Sequence, residues 1–406
     1  MIINSLVVVD DHSSDHRETQ QYDVVMDPKL ARNEYPDFTQ DHCSMMREVM
    51  TPELWESLKD CKTSSGWTLA RAINTGVVNP DSLVGCHAGD IDSYTTFRGL
   101  FDPVIKKYHH GYTPNQVHVT DMDPSKLEGQ VTDRGPIVST RIRVARNLAG
   151  FPLNPSATKE HRLAVEQLMI KVFKKLDGDL AGEYYSLARL TDAQKAQLVA
   201  DHYLFKPGDR FQAASGYHAY WPAGRGIYHN RDKTFLLWIN EGDHMRIISM
   251  EQGGNVKRVF GRLARGVAAI EAALQAITGE HTVFHSTPHH GMITCCPSNL
   301  GTGLRGSVHI LLPGLLQKYG LKGLDQFTRQ NLGCQTRGTM GEHSAPDASG
   351  RVDISNLARI GRTEYELVQD MINAVNTLNN MEKECGTNIQ LDINNNIPSS
   401  IIIDKE

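Results

Sequence analysis

The chain has 406 residues, enough for two or three domains at roughly 100–200 residues each. Lys and Arg number 42 against 47 Asp and Glu, a formal charge of -5, so no general pull toward nucleic acid or an anionic membrane is expected and the partner should be small. Seven cysteines without C-x-x-C or paired-histidine spacing suit reduced thiols rather than a disulfide framework or structural zinc, and no stretch approaches the roughly 20 apolar residues of a membrane span.

Taken in chain order, residues 1–20 read as a polar, mobile extension. Its apolar run, residues 2–9, is short and meets Asp10, Asp11 and Asp15. That suits neither a secretory signal nor an arginine-rich presequence, so a cytoplasmic location is expected. Residues 21–115 hold helical stretches punctuated by Pro28, Pro36, Pro52, Gly66, Gly76 and Pro80 and predict a small helical domain. Thr-Pro-Asn, Asp-Pro-Ser and Arg-Gly-Pro mark a linker, placed at 116–135.

From 136 to 406 strands and helices alternate. Val165, Leu168, Met169, Val172, Phe173 and Leu176 follow the spacing of one helical face, as do Val259, Phe260, Leu263, Val267, Ile270 and Leu274. Thr191 with Gln194 and Thr363 with Glu366 are capping boxes, the second opening a last amphipathic helix through Leu367, Met371, Val375 and Leu378. Strands are predicted at 138–145, 234–240, 245–250, 291–296, 307–312 and 351–354.

Within the first strand, period two sends Arg141 and Arg143 to one face and Thr140, Ile142 and Val144 to the other. Paired guanidinium groups read either as a solvated face or as a clamp on a polyanion. Residues 296–305, Cys-Pro-Ser-Asn-Leu-Gly-Thr-Gly-Leu-Arg, put a thiol, flexible backbone and a guanidinium in one short turn, which suits an anionic, phosphate-bearing ligand. Gly301 to Gly306 formally satisfies G-x-G-x-x-G. A dinucleotide fingerprint must open a helix, whereas this turn leads into a strand-like run, and no P-loop motif is present.

The same ten residues resemble the signature of the ATP:guanidino phosphotransferases, or phosphagen kinases. The likeness continues through 139–146, 201–205, 221–230, 235–250, 337–339 and 352–356 and covers nearly everything from 22 to 384. The resemblance implies an α+β fold: a small all-helical N-terminal domain, then a large C-terminal catalytic domain with an antiparallel sheet flanked by helices. It also implies ATP/ADP as the nucleotide, with Arg141, Arg143, Arg246, Arg305 and Arg337 on the phosphates, His202 and His309 flanking adenine and ribose, and Asp353 in the same site. Mg2+ is implied through ATP, held by phosphate oxygens and water rather than by a protein cage. Cys296 takes the position of the family's active-site thiol, where Ser298 can support a thiolate, and Cys295, of opposite phase, reads as core.

Family members carry Asn-Glu-Glu-Asp-His where this chain reads Asn240-Glu-Gly-Asp-His244, so Gly242 replaces a carboxylate tied to the guanidine. On an extended strand Glu241 would face the other way. Loss of a general base costs roughly 10²- to 10⁴-fold. Glu342, in a Gly-Glu-His loop like that of arginine kinases, is the remaining candidate to orient the guanidine or accept its proton. The segment 75–85, with Ser82 and Val84, has the short length of arginine kinases, and Tyr108 is tyrosine as in those enzymes. His87 stands where an arginine kinase tyrosine reaches the substrate carboxylate, to which it could donate. Arginine is thus the favoured acceptor, with glycocyamine, taurocyamine and lombricine as alternatives. A weakly active, nucleotide-binding partner subunit is a further reading of Gly242, and likeness to the creatine kinase branch suggests a homo- or heterodimer.

Overall fold

The computed structural model describes residues 23–388, except 114, 130, 132–136, 202, 208, 339–346 and 348. The expected extension at 1–20 lies outside the described residues. Six helices come first: α1 Pro28–Ala31, α2 Met45–Val49, α3 Pro52–Leu58, α4 Leu69–Val78, α5 Ser93–Thr96 and α6 Arg98–Tyr108. Local chemistry sets their starts. Thr51 accepts from the Leu54 N–H with Pro52 at the first helical position, and Thr68 accepts from the Arg71 N–H. The apolar faces of α4 and α6 meet Trp55, Trp67 and Phe97 in one buried cluster.

The rest of the chain forms an eight-stranded antiparallel sheet. Its strands are β1 Ile137–Arg146, β2 Gly182–Ser186, β3 Gly226–Asn230, β4 Phe235–Ile239, β5 Met245–Gln252, β8 Leu304–Leu311, β9 Cys334–Arg337 and β10 Arg351–Asn356. Their order is β2-β3-β4-β5-β1-β8-β10-β9, and β6 Ser286–Thr287 with β7 Gly291–Met292 form a separate two-stranded ribbon. The helices are α7 Lys159–Phe173, α8 Asp192–Ala200, α9 Arg210–Ala214, α10 Val256–Thr278, α11 Pro313–Leu332 and α12 Glu364–Asn388. Both expected capping boxes form, on α8 and α12, and α7 has a third in Thr158 with His161.

Register decides which face is which. Ile142 lies opposite Gly306, Val144 opposite Ile247 and Leu304, and Val308 opposite Ile354. These residues turn toward α7, α10 and α12, whose predicted apolar faces are all buried in the same cluster. Each fully buried Leu, Ile, Val or Phe stabilises by about 1.5–3 kcal/mol, so this face holds the domain together. The opposite face is left to polar groups.

Four expectations need correction. Only residues 291 and 292 of the predicted strand 291–296 are paired as strand; beyond them the chain turns through Pro297. Residues 75–78 close α4 rather than beginning a loop, leaving 79–85 as the connection. The segment 240–244 is a tight turn between β4 and β5, with Asn240 at φ 53° and its N–H donating to His244 O at 3.0 Å. Strand alternation therefore does not govern Glu241. Finally, β2, β3 and β9 were not predicted, being only 5, 5 and 4 residues long without clean apolar alternation.

Candidate active site

The polar face gathers charge from five strands. Arg143 lies directly across from Arg305, Ala145 across from Arg246, His309 across from Asp353, and Asp353 across from Arg337. Because period two is conserved along each strand, Arg141, Arg143, Arg246, Arg305, His309, Arg337 and Asp353 share one face. The Arg305 Nη2 is 2.7 Å from Asp353 Oδ2, and the Arg246 Nε is 2.5 Å from Glu241 Oε2. The Arg141 guanidinium lies over Trp238, 5.4 Å from the ring centre.

Burial first, and then the neighbouring Arg305 and Arg246, bring Arg141 down to about 10. Burial, followed by the crowding of Arg246, Arg141 and Arg305, lowers Arg143 as well. So concentrated a positive field, half withdrawn from water, is chemically suited to a polyanion. His309 is lowered from the ordinary imidazole range, chiefly by burial, and its Nδ1 is 3.2 Å from Ser139 Oγ.

The thiol turn adjoins this face. Arg143, Arg246, Asn299, Gly303, Arg305 and Arg359 line one small cavity. Two glycines shape the turn: Gly301 has φ 91° and a Cβ there would stand 2.3 Å from Arg359 O, while Gly303 has φ 62°. Only a residue without a side chain fits the first. The G-x-G-x-x-G run enters β8, as its sequence context implies.

Cys296 Sγ is 3.0 Å from Ser298 Oγ, the expected hydroxyl support. Burial outweighs that contact and raises the thiol above its ordinary range. Cys295 is core, its amide donating to Asp243 Oδ1 at 3.0 Å and its thiol to Gly242 O at 3.3 Å. The helical domain reaches the turn from the other side, where Ala88 N–H donates to Cys295 O at 2.8 Å and His109 Nε2 is 2.9 Å from Pro297 O.

Of the acceptor-side candidates, Ser82 accepts from the Gly85 N–H at 3.1 Å and Val84 is half-buried behind it. Tyr108 ends α6 next to His109 and so lies near the thiol turn. His87 is buried, and its Nδ1 is 2.5 Å from Ser215 Oγ, which donates onward to Phe211 O at 3.1 Å. Nδ1 is therefore spent on an interdomain bond, and burial lowers the ring to about 4. A proton donated to a substrate carboxylate is not available from that nitrogen. His202 and Glu342 lie outside the described residues.

Two site residues escaped the sequence reading. Arg359 donates from Nη1 to Ser298 O at 2.6 Å and lines the arginine cavity; lying outside any strand or recognised motif, it carried no local signal of that place. Glu241 was set aside on an alternation rule that the turn cancels.

The chain matches the ATP:guanido phosphotransferase C-terminal catalytic domain over residues 164–385 and the N-terminal domain of the same family over 40–106. It belongs to the ATP:guanido phosphotransferase, or phosphagen kinase, family. Relatives include an arginine kinase of Anthopleura japonica, 46% identical over 371 residues that cover 88% of this chain and 50% of that protein. Creatine kinase B-type of Gallus gallus is 45% identical over 359 residues, 86% of this chain and 91% of that protein. Among solved structures, lombricine kinase superposes with TM-score 0.82 at 39% identity, covering 88% of this chain and 96% of that one. The substrate-free duplicated taurocyamine kinase of Schistosoma mansoni gives 0.79 at 34% identity, covering 89% and 49%. The chain thus spans about half the length of the Anthopleura and Schistosoma proteins. Among the described residues, no helix is long and apolar enough to cross a membrane.

Proposed function

We propose that this chain transfers the γ-phosphoryl group of ATP reversibly to a guanidino nitrogen, with arginine as the favoured acceptor. The observation that carries the reading is the convergence of Arg141, Arg143, Arg246 and Arg305 on one half-buried face beside Cys296. Phosphoryl transfer asks little covalent help of a protein; alignment and neutralisation of the shifting charge dominate. The arginines supply the second, and closure of the helical domain over the sheet supplies the first while excluding water.

Asp353 holds Arg305 in place, and His309 stands beside it for the nucleoside. His202 and Arg337 join them in this reading, and Glu342 takes the acceptor's guanidinium. Among the described residues no group of three His, Cys, Asp or Glu side chains is arranged to hold a metal ion. In this reading the ion arrives on the nucleotide, held by phosphate oxygens and water.

Tyr108 and the short 79–85 connection support arginine, since the short connection leaves room for a long acceptor. Similarity to arginine, creatine, lombricine and taurocyamine kinases keeps glycocyamine, taurocyamine and lombricine as alternatives. Gly242 favours a second reading, a nucleotide-binding subunit of low turnover within a dimer.

The test is ADP release with arginine, glycocyamine, taurocyamine, lombricine and creatine, on the chain alone and on Gly242→Glu. Turnover with arginine above the others is expected. No turnover with any of them alongside tight ATP binding would overturn the enzyme reading in favour of the binding subunit.

A further inference from the structure

We infer that Glu241 is a guanidinium-holding carboxylate of the acceptor site, and that Arg246 occupies it until nucleotide binds. The inference rests on the phosphoryl-transfer reading above and names the group that replaces the carboxylate missing at 242. Its starting point is the β4–β5 turn. Asn240, at φ 53°, swings the backbone so that Glu241 lands on the arginine side of the sheet, where its side chain is 18% exposed. There the carboxylate meets a guanidinium already: Arg246 Nε at 2.5 Å.

Gly242 makes that arrangement possible. A Cβ at 242 would stand 2.7 Å from Arg246 Nη2, so any side chain there displaces the guanidinium from where it now lies. The same glycine's carbonyl accepts from Cys295 Sγ at 3.3 Å, which puts the Glu241–Arg246 pair beside the turn bearing Cys296. An internal guanidinium is therefore resting on a half-buried carboxylate beside the thiol turn.

Arg246 also lines the cavity shared by Arg143, Arg305 and Arg359. A polyphosphate entering there offers Arg246 a partner of higher charge and relieves the crowding of cations. As Arg246 turns to it, Glu241 keeps the Gly242 N–H, which donates to its Oε2 at 2.6 Å, but loses the cation paired with it, and a second guanidinium can take that place. That second guanidinium is the acceptor's. Arg246 and the acceptor thus exchange places on one carboxylate, and nucleotide binding prepares the acceptor site.

The exchange makes the two ligands respond in opposite directions to one substitution, which a merely structural glutamate would not do. Glu241→Gln removes the charge that holds Arg246 back. ADP affinity by titration calorimetry is expected to rise at least threefold, while KM for L-arginine rises tenfold or more at saturating ATP. The double variant Glu241→Gln with Gly242→Glu, which supplies a carboxylate one position along, is expected to regain at least half of the lost acceptor affinity. Glu241→Asp, which keeps the charge on a shorter arm, is expected to fall between and serves should the glutamine variant not fold. An unchanged KM with unchanged ADP affinity, or loss of both together, overturns the inference while wild-type turnover leaves the parent reading standing. Absence of wild-type turnover with every guanidine overturns the parent reading instead.

Discussion

Arg143 on β1 stands directly across from Arg305 on β8, two like charges in adjacent register on a half-buried face. Arg305 is answered by Asp353, whereas Arg143 makes no ion pair among the described residues. Like charges placed opposite each other across strands are destabilising, and burial deepens the cost. The fold carries this tension on the face proposed to take the nucleotide phosphates.

Replacing Arg143 by methionine should therefore cost function without costing stability. The unfolding midpoint is expected to hold or rise by about 2–4 °C, the shift that roughly 1 kcal/mol gives a domain of this size. ADP affinity should fall at least tenfold. Thermal unfolding with and without ADP checks both halves.

Glu364 is a different kind of buried charge. Its side chain is 0% exposed, accepts from Thr120 Oγ1 at 2.8 Å and the Asp121 N–H at 2.8 Å, and faces Arg146 at 3.8 Å. It ties the connection between the domains to β1 and α12. Glu364→Ala would leave Arg146 buried without its counter-charge and is expected to cost about 3–5 kcal/mol in chemical denaturation.

His244 sets an acid limit. Its Nδ1 accepts from the Leu148 N–H at 2.9 Å and its Nε2 donates to Pro152 O at 3.0 Å, so only the neutral ring fits. Burial lowers it from 6.5 to about 3. The folded state thus binds the proton less readily than the unfolded chain. Stability is complete above pH 6.5 and falls as pH drops toward 3, by up to about 1.4 kcal/mol per pH unit from this residue. His244→Gln, which keeps a donor and an acceptor, should flatten that part of the pH–stability profile.

Gly301→Ala tests the thiol turn. At φ 91° and with Arg359 O only 2.3 Å from the new Cβ, the turn must shift. A loss of about 1–3 kcal/mol in stability is expected. A larger proportional loss in kcat should accompany it, because Cys296 and Arg305 flank the turn.

Much of this was legible along the chain. The apolar faces of α7, α10 and α12 repeat within one helix, and the sharing of a face by Arg141 and Arg143 follows from one strand. The capping boxes likewise join residues only three positions apart. Glu241 was misjudged for the complementary reason: whether 240–244 is strand or turn depends on how β4 and β5 meet, and the alternation rule holds only on a strand. The short edge strands β2 and β9 escaped because few side chains of theirs enter the core, leaving a weak pattern.

The sequence by itself determined the helical faces, the caps, the glycine turn into β8 and, through its signature residues, the family. Only the tertiary structure decided that Arg143 opposes Arg305, that Arg359 lines the same cavity, that His87 is spent on Ser215, and that Glu241 lies under Arg246. The division is physical. Periodicity and caps are set by neighbours a few bonds away, whereas strand register and turn geometry are set by hydrogen bonds between segments far apart in the chain.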